Sequence, residues 1–368
     1  MSSPPPELVT ATQRVRLFDE EHPLVLQSGA ILAPVEVAYE TYGDPADPAV
    51  VLCHALTGDA HAAGVDERGA RGWWDVLVGP GRAVDTTGRF VICANLLGGC
   101  RGTTGPLSTD PQTGRAYGSR FPLLAVRDLV AVHRALLAHL GVERLHAVVG
   151  GSLGGMQALQ WALDFPEEVE RIVLVCATSR LTAENLALSA VAREAILTDP
   201  DFQGGDYPGT GRRPDRGMGL ARRLGHVTYV SEEALEAKFG RARRHPGAPL
   251  GFGSDFEVEH YLDHQVETFL QRFDALTYLH LLRPMDSFDP FADPALDLGR
   301  VAAAGVSALA VSFTSDWRFG PPHSARIASE LRAGGVPVVH HTVASPHGHD
   351  SFLLDVPEYL EHVRAFLA

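Results

Sequence analysis

One stretch, residues 145–163, limits what this chain can fold into more than any other. It reads LHAVVG, then GSLGG, then MQALQWAL. The first part is an apolar run rich in β-branched residues, the mark of a buried strand. In the last, Leu153, Met156, Leu159, Ala162 and Leu163 recur at helical spacing. Between them Gly150, Ser152 and Gly154 fit G-x-S-x-G, a sharp strand-to-helix turn that presents a serine on a strained bend. Small residues two places either side let the backbone pass close by. The helix that follows aims its N-terminal N–H groups and positive dipole end at the serine, which suits a developing oxyanion. Glycines beside a serine recur by chance, and a glycine-rich turn with a solvated serine is the plain alternative. The flanking strand and helix argue for a nucleophile.

Around this stretch the chain alternates strand and helix patterns. Arg14 to Phe18 and Pro34 to Tyr42 read as an antiparallel opening, joined by a turn at Gln27 to Gly29. Continuous apolar runs at Ala49 to Leu56, Phe90 to Asn95 and Arg171 to Ala177 suit strands covered on both faces. A glycine-rich loop, NLLGGCRGTTGP, follows the second, and Leu123 to Leu140 has the pattern of a helix. From residue 181 to about 299 the patterns become helical, at Ala183 to Leu197, Met218 to Leu224, Glu232 to Phe239 and Phe256 to Leu282. Strands return at Val306 to Phe313 and Val336 to Val343, with helices at Pro322 to Ala333 and Val356 to Leu367. The expected class is α/β, a mostly parallel central sheet with helices on both faces. Residues 1–180 and 300–368 form the two parts of its catalytic domain, and 181–299 a helical lid insertion. The first dozen residues, with three prolines in a row, are expected to be disordered.

The formal net charge of −14 argues against nonspecific binding to nucleic acid or to an anionic membrane surface. No run approaches the roughly 18 apolar residues of a membrane span, and the N-terminus lacks the apolar core of a signal peptide, so a cytoplasmic location is expected. The four cysteines are scattered with no C-x-x-C pair, as reduced core thiols would be. Against this acidic background residues 212–245 are basic. Some of Arg212, Arg213, Arg216, Arg222, Arg223, Lys238, Arg241, Arg243 and Arg244 are candidates to meet an anionic ligand, and a solvated surface is the simpler reading.

A nucleophilic Ser152 needs a base and a group that orients the base, both in loops beyond the carboxyl ends of strands. Asp316 follows the strand ending at Phe313. His347 and His349 follow the strand ending at Val343, and spacing does not choose between them. The chain order is Ser, Asp, His, that of the α/β hydrolases. The oxyanion donors are expected to be the N–H of Leu153 and, from the loop after the strand at residue 49, that of Leu56. Two histidines two apart on an irregular loop make a poor metal site. GGSLGG and GGCRGTTG fail both nucleotide-binding patterns.

These blocks together resemble the homoserine O-acetyltransferases, acyltransferases of methionine biosynthesis with the α/β-hydrolase fold. The resemblance covers nearly the whole chain. It is carried by YETYG at 39–43, HALTGDAH at 54–61, GWWD at 72–75, NLLGGCRGTTGP at 95–106, GGSLGGMQALQWA at 150–162, SDW at 315–317 and GHDSFLL at 348–354. It implies Ser152 as nucleophile, Asp316 as orienting acid and His349 as base. It also implies that Arg222 and Asp350 hold the amino acid, Arg222 being told from its neighbour Arg223 only by this likeness. The implied reaction moves the acetyl group of acetyl-CoA, a co-substrate, to the hydroxyl of L-homoserine, with no tightly bound cofactor. Relatives with the same blocks include succinyltransferases and serine acyltransferases, and a plain esterase is the further alternative. The family also implies a homodimer through the lid helices, for which apolar residues along Tyr261 to Leu282 are candidates if they do not pack on the body.

Overall fold

The computed structural model describes residues 8–368. Its main sheet has eight strands: β1 (Gln13–Phe18), β2 (Val35–Tyr42), β3 (Ala49–Cys53), β4 (Phe90–Ala94), β5 (Leu145–Gly151), β6 (Val169–Val175), β7 (Ser307–Phe313) and β8 (Val338–Val343). Their order is β1-β2-β4-β3-β5-β6-β7-β8. β2 runs antiparallel to both neighbours, and every pairing from β4 to β8 is parallel. The central strands are buried on both faces, which is why they read as unbroken apolar runs. Ala49, Val51 and Cys53 enter one core, and Val50 and Leu52 the other, as the two-residue period requires.

Helices α1 (Val126–His139) and α2 (Leu153–Asp164) fill the first core with Leu129, Leu136, Met156 and Trp161. Complete burial of aliphatic side chains of this size stabilises by about 1.5–3 kcal/mol each. No strand of the sheet lies between residues 176 and 306. Helices α3 (Ala183–Leu197), α4 (Asp215–Tyr229), α5 (Glu232–Phe239), α6 (Glu257–Leu270) and α7 (Ala275–Ser287) occupy that interval. Thr182 caps α3 and Ser231 caps α5, each accepting from the backbone N–H three residues on. α4 packs on α3 and α6 and touches the 3-10 turn at Gly348–Leu353. After a short α8 (Leu298–Ala303), α9 (Pro321–Ala333) joins the first core through Ile327 and Leu331. α10 (Pro357–Leu367) closes the second with Tyr359 and Val363.

Two expectations change, and one left open is narrowed. The continuous helix at Phe256 to Leu282 is two helices, because the Asp274 carboxylate accepts from the N–H groups of Leu276 and Thr277 and starts a new one. Of the apolar side chains of Tyr261 to Leu282, Val266, Phe269, Phe273, Leu276 and Leu281 are buried within the chain, the second of the two alternatives left open, while Tyr261, Leu262, Leu270 and Leu279 are part-buried. Of the residues expected to be disordered, 1–7 lie outside those described. The next few are tied down: Val65 N–H donates to Leu8 O (2.8 Å) and Thr10 N–H to Val65 O (3.2 Å). No described helix is long and apolar enough to cross a membrane.

Candidate active site

Ser152 stands between β5 and α2 with φ 57° and ψ −121°, a backbone conformation that costs of order 1–3 kcal/mol for a residue with a side chain. The flanking glycines make the bend possible. A Cβ on Gly154 would lie 1.9 Å from the carbonyl oxygen of Cys53, and one on Gly150 would lie 2.1 Å from the Gly154 carbonyl. The turn is held from behind, since Ser152 N–H donates to Val175 O (2.9 Å) at the end of the neighbouring strand. Leu153, fully buried, opens α2.

Asp316 and His349 reach the same place from two other loops. Asp316 follows β7, and its Oδ1 accepts from the N–H groups of Arg318 and Phe319, both at 2.9 Å. Its Oδ2 takes a bond from His349 Nδ1 at 2.8 Å. An acceptor carboxylate fixes the donor nitrogen, so in the neutral ring Nδ1 carries the proton and Nε2 is free to accept. Burial opposes the charge on Asp316. The His349 ring and the two backbone donors outweigh it and hold the carboxyl below its ordinary value. His347, the other histidine of this loop, is exposed and meets neither group. Gly348 between them has φ 69°, and a Cβ there would press on Tyr229 O at the end of α4.

Ser152 and His349 line one cavity of about 820 Å³. Leu56, Arg222 and Asp350 line it too, while Asp316 sits behind His349. Arg222 and Arg223 separate clearly. Arg223 pairs with Asp263 (2.7 Å), whereas Arg222 faces the cavity with its guanidinium 4.3 Å over the Phe269 ring and its Nε without a partner. Burial lowers the pKa of Arg222 and raises that of Asp350, against the pull of the His349 and Arg222 charges on the latter. Among the described residues neither forms an ion pair.

Two lining arginines carry no signal that pattern reading would pick out. Arg272, at the joint of α6 and α7, donates to Thr57 O (2.9 Å). Arg318 is 6% exposed, meets only the Thr228 hydroxyl (3.5 Å) and the rings of Tyr229 and Phe319, and has no carboxylate partner among the described residues. Its place two residues after Asp316, in a loop beyond a strand end, is the one hint the sequence held. Of the basic stretch at 212–245, Arg222 alone lines this cavity. Arg212 and Arg213 pair with Asp201 and Asp215 and line a smaller adjoining one that shares Cys100, Arg101 and Arg272.

A ligand atom from each of Cys176, Asp316 and His349 lies within 4.8 Å of the others. The carboxylate and ring are already bonded to each other. Burial, with the Asp316 charge behind it, keeps the Cys176 thiol protonated. With the ring nitrogen and the carboxylate spent on each other and the thiol protonated, the trio is read as a hydrogen-bonded group. A Ser, His and Asp so arranged beside an unpaired cation and anion can take an acyl group and pass it to a zwitterionic acceptor.

A family model described as the alpha/beta hydrolase fold matches residues 48–356. The chain is 58% identical over 363 residues to the homoserine O-succinyltransferase of Nocardioides sp., covering 97% of each chain. It is 44% identical over 359 residues to the homoserine O-acetyltransferase of Mesorhizobium japonicum, covering 95% of this chain and 92% of that one. Among solved structures it is similar to the homoserine O-acetyltransferase from Bacillus anthracis, with a TM-score of 0.88, 27% identity and 98% of each chain covered.

Proposed function

We propose that this chain, which belongs to the homoserine O-acyltransferases of the alpha/beta hydrolase fold, acylates the side-chain hydroxyl of L-homoserine through an acyl-Ser152 intermediate, in the cytoplasm. The observation that carries this reading is a single cavity holding Ser152 and His349 beside Arg222 and Asp350. A cation and an anion without partners of their own match the carboxylate and ammonium of a free amino acid.

His349 Nε2 takes the Ser152 proton while Oγ attacks the thioester carbonyl of an acyl-CoA co-substrate. The N–H groups of Leu56 and Leu153 meet the oxyanion. The C–S bond breaks, and His349 returns its proton to the departing thiolate of CoA. Homoserine then gives its hydroxyl proton to His349 and attacks the acyl carbon. Ser152 leaves and recovers the proton. Water competes for the same step, so transfer depends on excluding it and on holding homoserine in line. No tightly bound cofactor enters this route. A homodimer, if it uses the helical segment, has Leu186, Val191 and Leu197 on α3, Leu220 and Val227 on α4, and Leu250 and Phe252 beyond α5 among its exposed apolar residues.

The sequence points to acetyl-CoA as donor, whereas the cavity favours succinyl-CoA. With Arg222 given to the homoserine carboxylate, Arg318 is a further guanidinium, this one buried, with no ion-pair partner among the described residues, and burial without one is costly. A succinyl group brings the missing carboxylate, and an acetyl group does not. The relative at 58% identity carries the succinyl name. The test offers purified protein homoserine or serine with succinyl-CoA or acetyl-CoA and identifies products by mass. O-succinylhomoserine is expected. Predominant O-acetylhomoserine returns the donor to acetyl-CoA, and steady release of the free acid without an acceptor makes the protein a hydrolase. Arg318→Leu should lower kcat/KM for succinyl-CoA on the order of 10–100-fold, the worth of a charged hydrogen bond, and spare that for acetyl-CoA.

A further inference from the structure

The two backbone segments given the oxyanion in the reading above come from distant parts of the chain, and one buried side chain joins them. Gln157, on the second turn of α2 and fully buried, donates from Nε2 to His54 O and to Leu153 O, both at 3.2 Å. His54 precedes Leu56 by two residues, and Leu153 carries the other N–H. The Gln157 amide cannot turn over, because His133 Nε2 donates to its Oε1 (3.0 Å). Burial keeps His133 neutral, with its pKa pushed down to about 4. His54 fixes the far side of the same loop: its Nδ1 donates to Ala55 O (2.7 Å), and its Nε2 accepts from Leu96 N–H (3.0 Å). Burial holds this ring neutral as well.

We infer that Gln157 is a positioning residue, its amide clamping the loop after β3 to the start of α2 so that the N–H groups of Leu56 and Leu153 converge on one point. The inference rests on the acyl-enzyme reading, because only an oxyanion between those groups gives their spacing meaning. A hydrogen-bond donor aimed at a developing charge works only if already in place, and an error of about 1 Å in such geometry can cost on the order of 10²-fold. Gln157 does not touch the substrate, so its removal should slow the chemistry and leave binding alone.

The experiment compares wild type, Gln157→Met and Ser152→Ala by the pre-steady-state burst of p-nitrophenol from p-nitrophenyl acetate. The burst amplitude counts working sites, and its rate reports acylation per site. In Gln157→Met the acylation rate should fall about 10–100-fold, with the KM for homoserine in the full reaction within about twofold of wild type. A rate per site within twofold of wild type, with only amplitude or Tm reduced, makes Gln157 a core residue and overturns the inference. Should Gln157→Met fold poorly, His133→Leu, which frees the amide to turn, must show the same kind of fall in acylation rate per site, smaller in size. A burst, or turnover, that survives in Ser152→Ala removes the acyl-enzyme reading itself and this inference with it; where wild type shows no burst, acylation limits turnover, and the steady-state rate per site must show the same fall in Gln157→Met.

Discussion

The reacting end of the cavity and its binding end are built on opposite principles. At the reacting end the buried charge is met by donors: Asp316 accepts from two backbone N–H groups and from His349, and is hydrogen-bonded where it stands. At the binding end Arg222, Arg318 and Asp350 face the cavity without an ion-pair partner among the described residues. Buried charges left so are expensive, and the fold tolerates them only where a ligand completes them or where function selects them. The contrast separates two tasks. On the proposed reading the chemistry is pre-organised before any substrate arrives, whereas selectivity would rest on vacancies in the electrostatics, each open to one group of the acceptor or the donor. Damage at the first end should therefore appear in kcat, and damage at the second in KM.

The sharpest way to break this division is Ser152→Ala. Loss of a nucleophile in a serine triad costs on the order of 10⁴–10⁶ in kcat, so transfer should become undetectable in ordinary assays while Tm stays near wild type. Transfer at a tenth of the wild-type rate would mean that homoserine attacks the thioester directly, and the two ends would not be separate stations of one path. Asp316→Asn comes next. It leaves the ring without a carboxylate to set its tautomer, and kcat should fall on the order of 10²–10⁴ with the KM for homoserine little changed. A large rise in that KM would place Asp316 in substrate binding as well as in catalysis.

How much of this division the sequence disclosed follows from what each end is made of. The reacting end was legible because its parts are local. An apolar strand, glycines around Ser152 and an acid and a histidine after successive strands are all patterns of neighbours in the chain. Spacing left His347 and His349 open. The structure separates them by a positive-φ turn at Gly348, a tertiary detail that no count of intervening residues contains. The binding end was legible only through the family likeness, which named Arg222 and Asp350, and not through pattern. Arg272 and Arg318 look like surface arginines until packing half-buries the one and buries the other, and residue pattern alone does not separate the consecutive Arg222 and Arg223: the family likeness chose Arg222, and the pairing of Arg223 with Asp263 gives the physical reason. In the fold, strands buried on both faces were plain. The break at Asp274 was hidden, because apolar residues keep helical spacing across it while one side chain caps a new helix.

Arg222→Ala tests the binding end. A charge-assisted bond to a carboxylate is worth about 1.5–3 kcal/mol, so the KM for homoserine should rise on the order of 10–100-fold, with that for the acyl-CoA within about twofold. Equal rises for both substrates would show that the cation serves the whole cavity and not one ligand, and the contrast would lose its binding half.

The smallest effect is in some ways the most discriminating, because it is read without substrate. Burial raises the pKa of Asp350 in the folded chain. A carboxyl whose folded pKa lies above its unfolded value, near 3.9, weakens the fold wherever it is ionised. That penalty is absent below the unfolded value, grows between the two, and is complete above the folded one. Asp350→Asn removes it, so the substrate-free variant should melt higher than wild type at pH 7.5, by roughly 1–3 °C for a chain of this size, and the gap should close by about pH 4. Saturating homoserine should reverse the order, since wild type gains a partner for its carboxylate and the variant does not. A variant that melts lower than wild type at pH 7.5 without ligand would show that Asp350 already has its counter-charge. The binding end would then be as complete as the reacting end, and recognition of the amino acid would have to be sought elsewhere in the cavity.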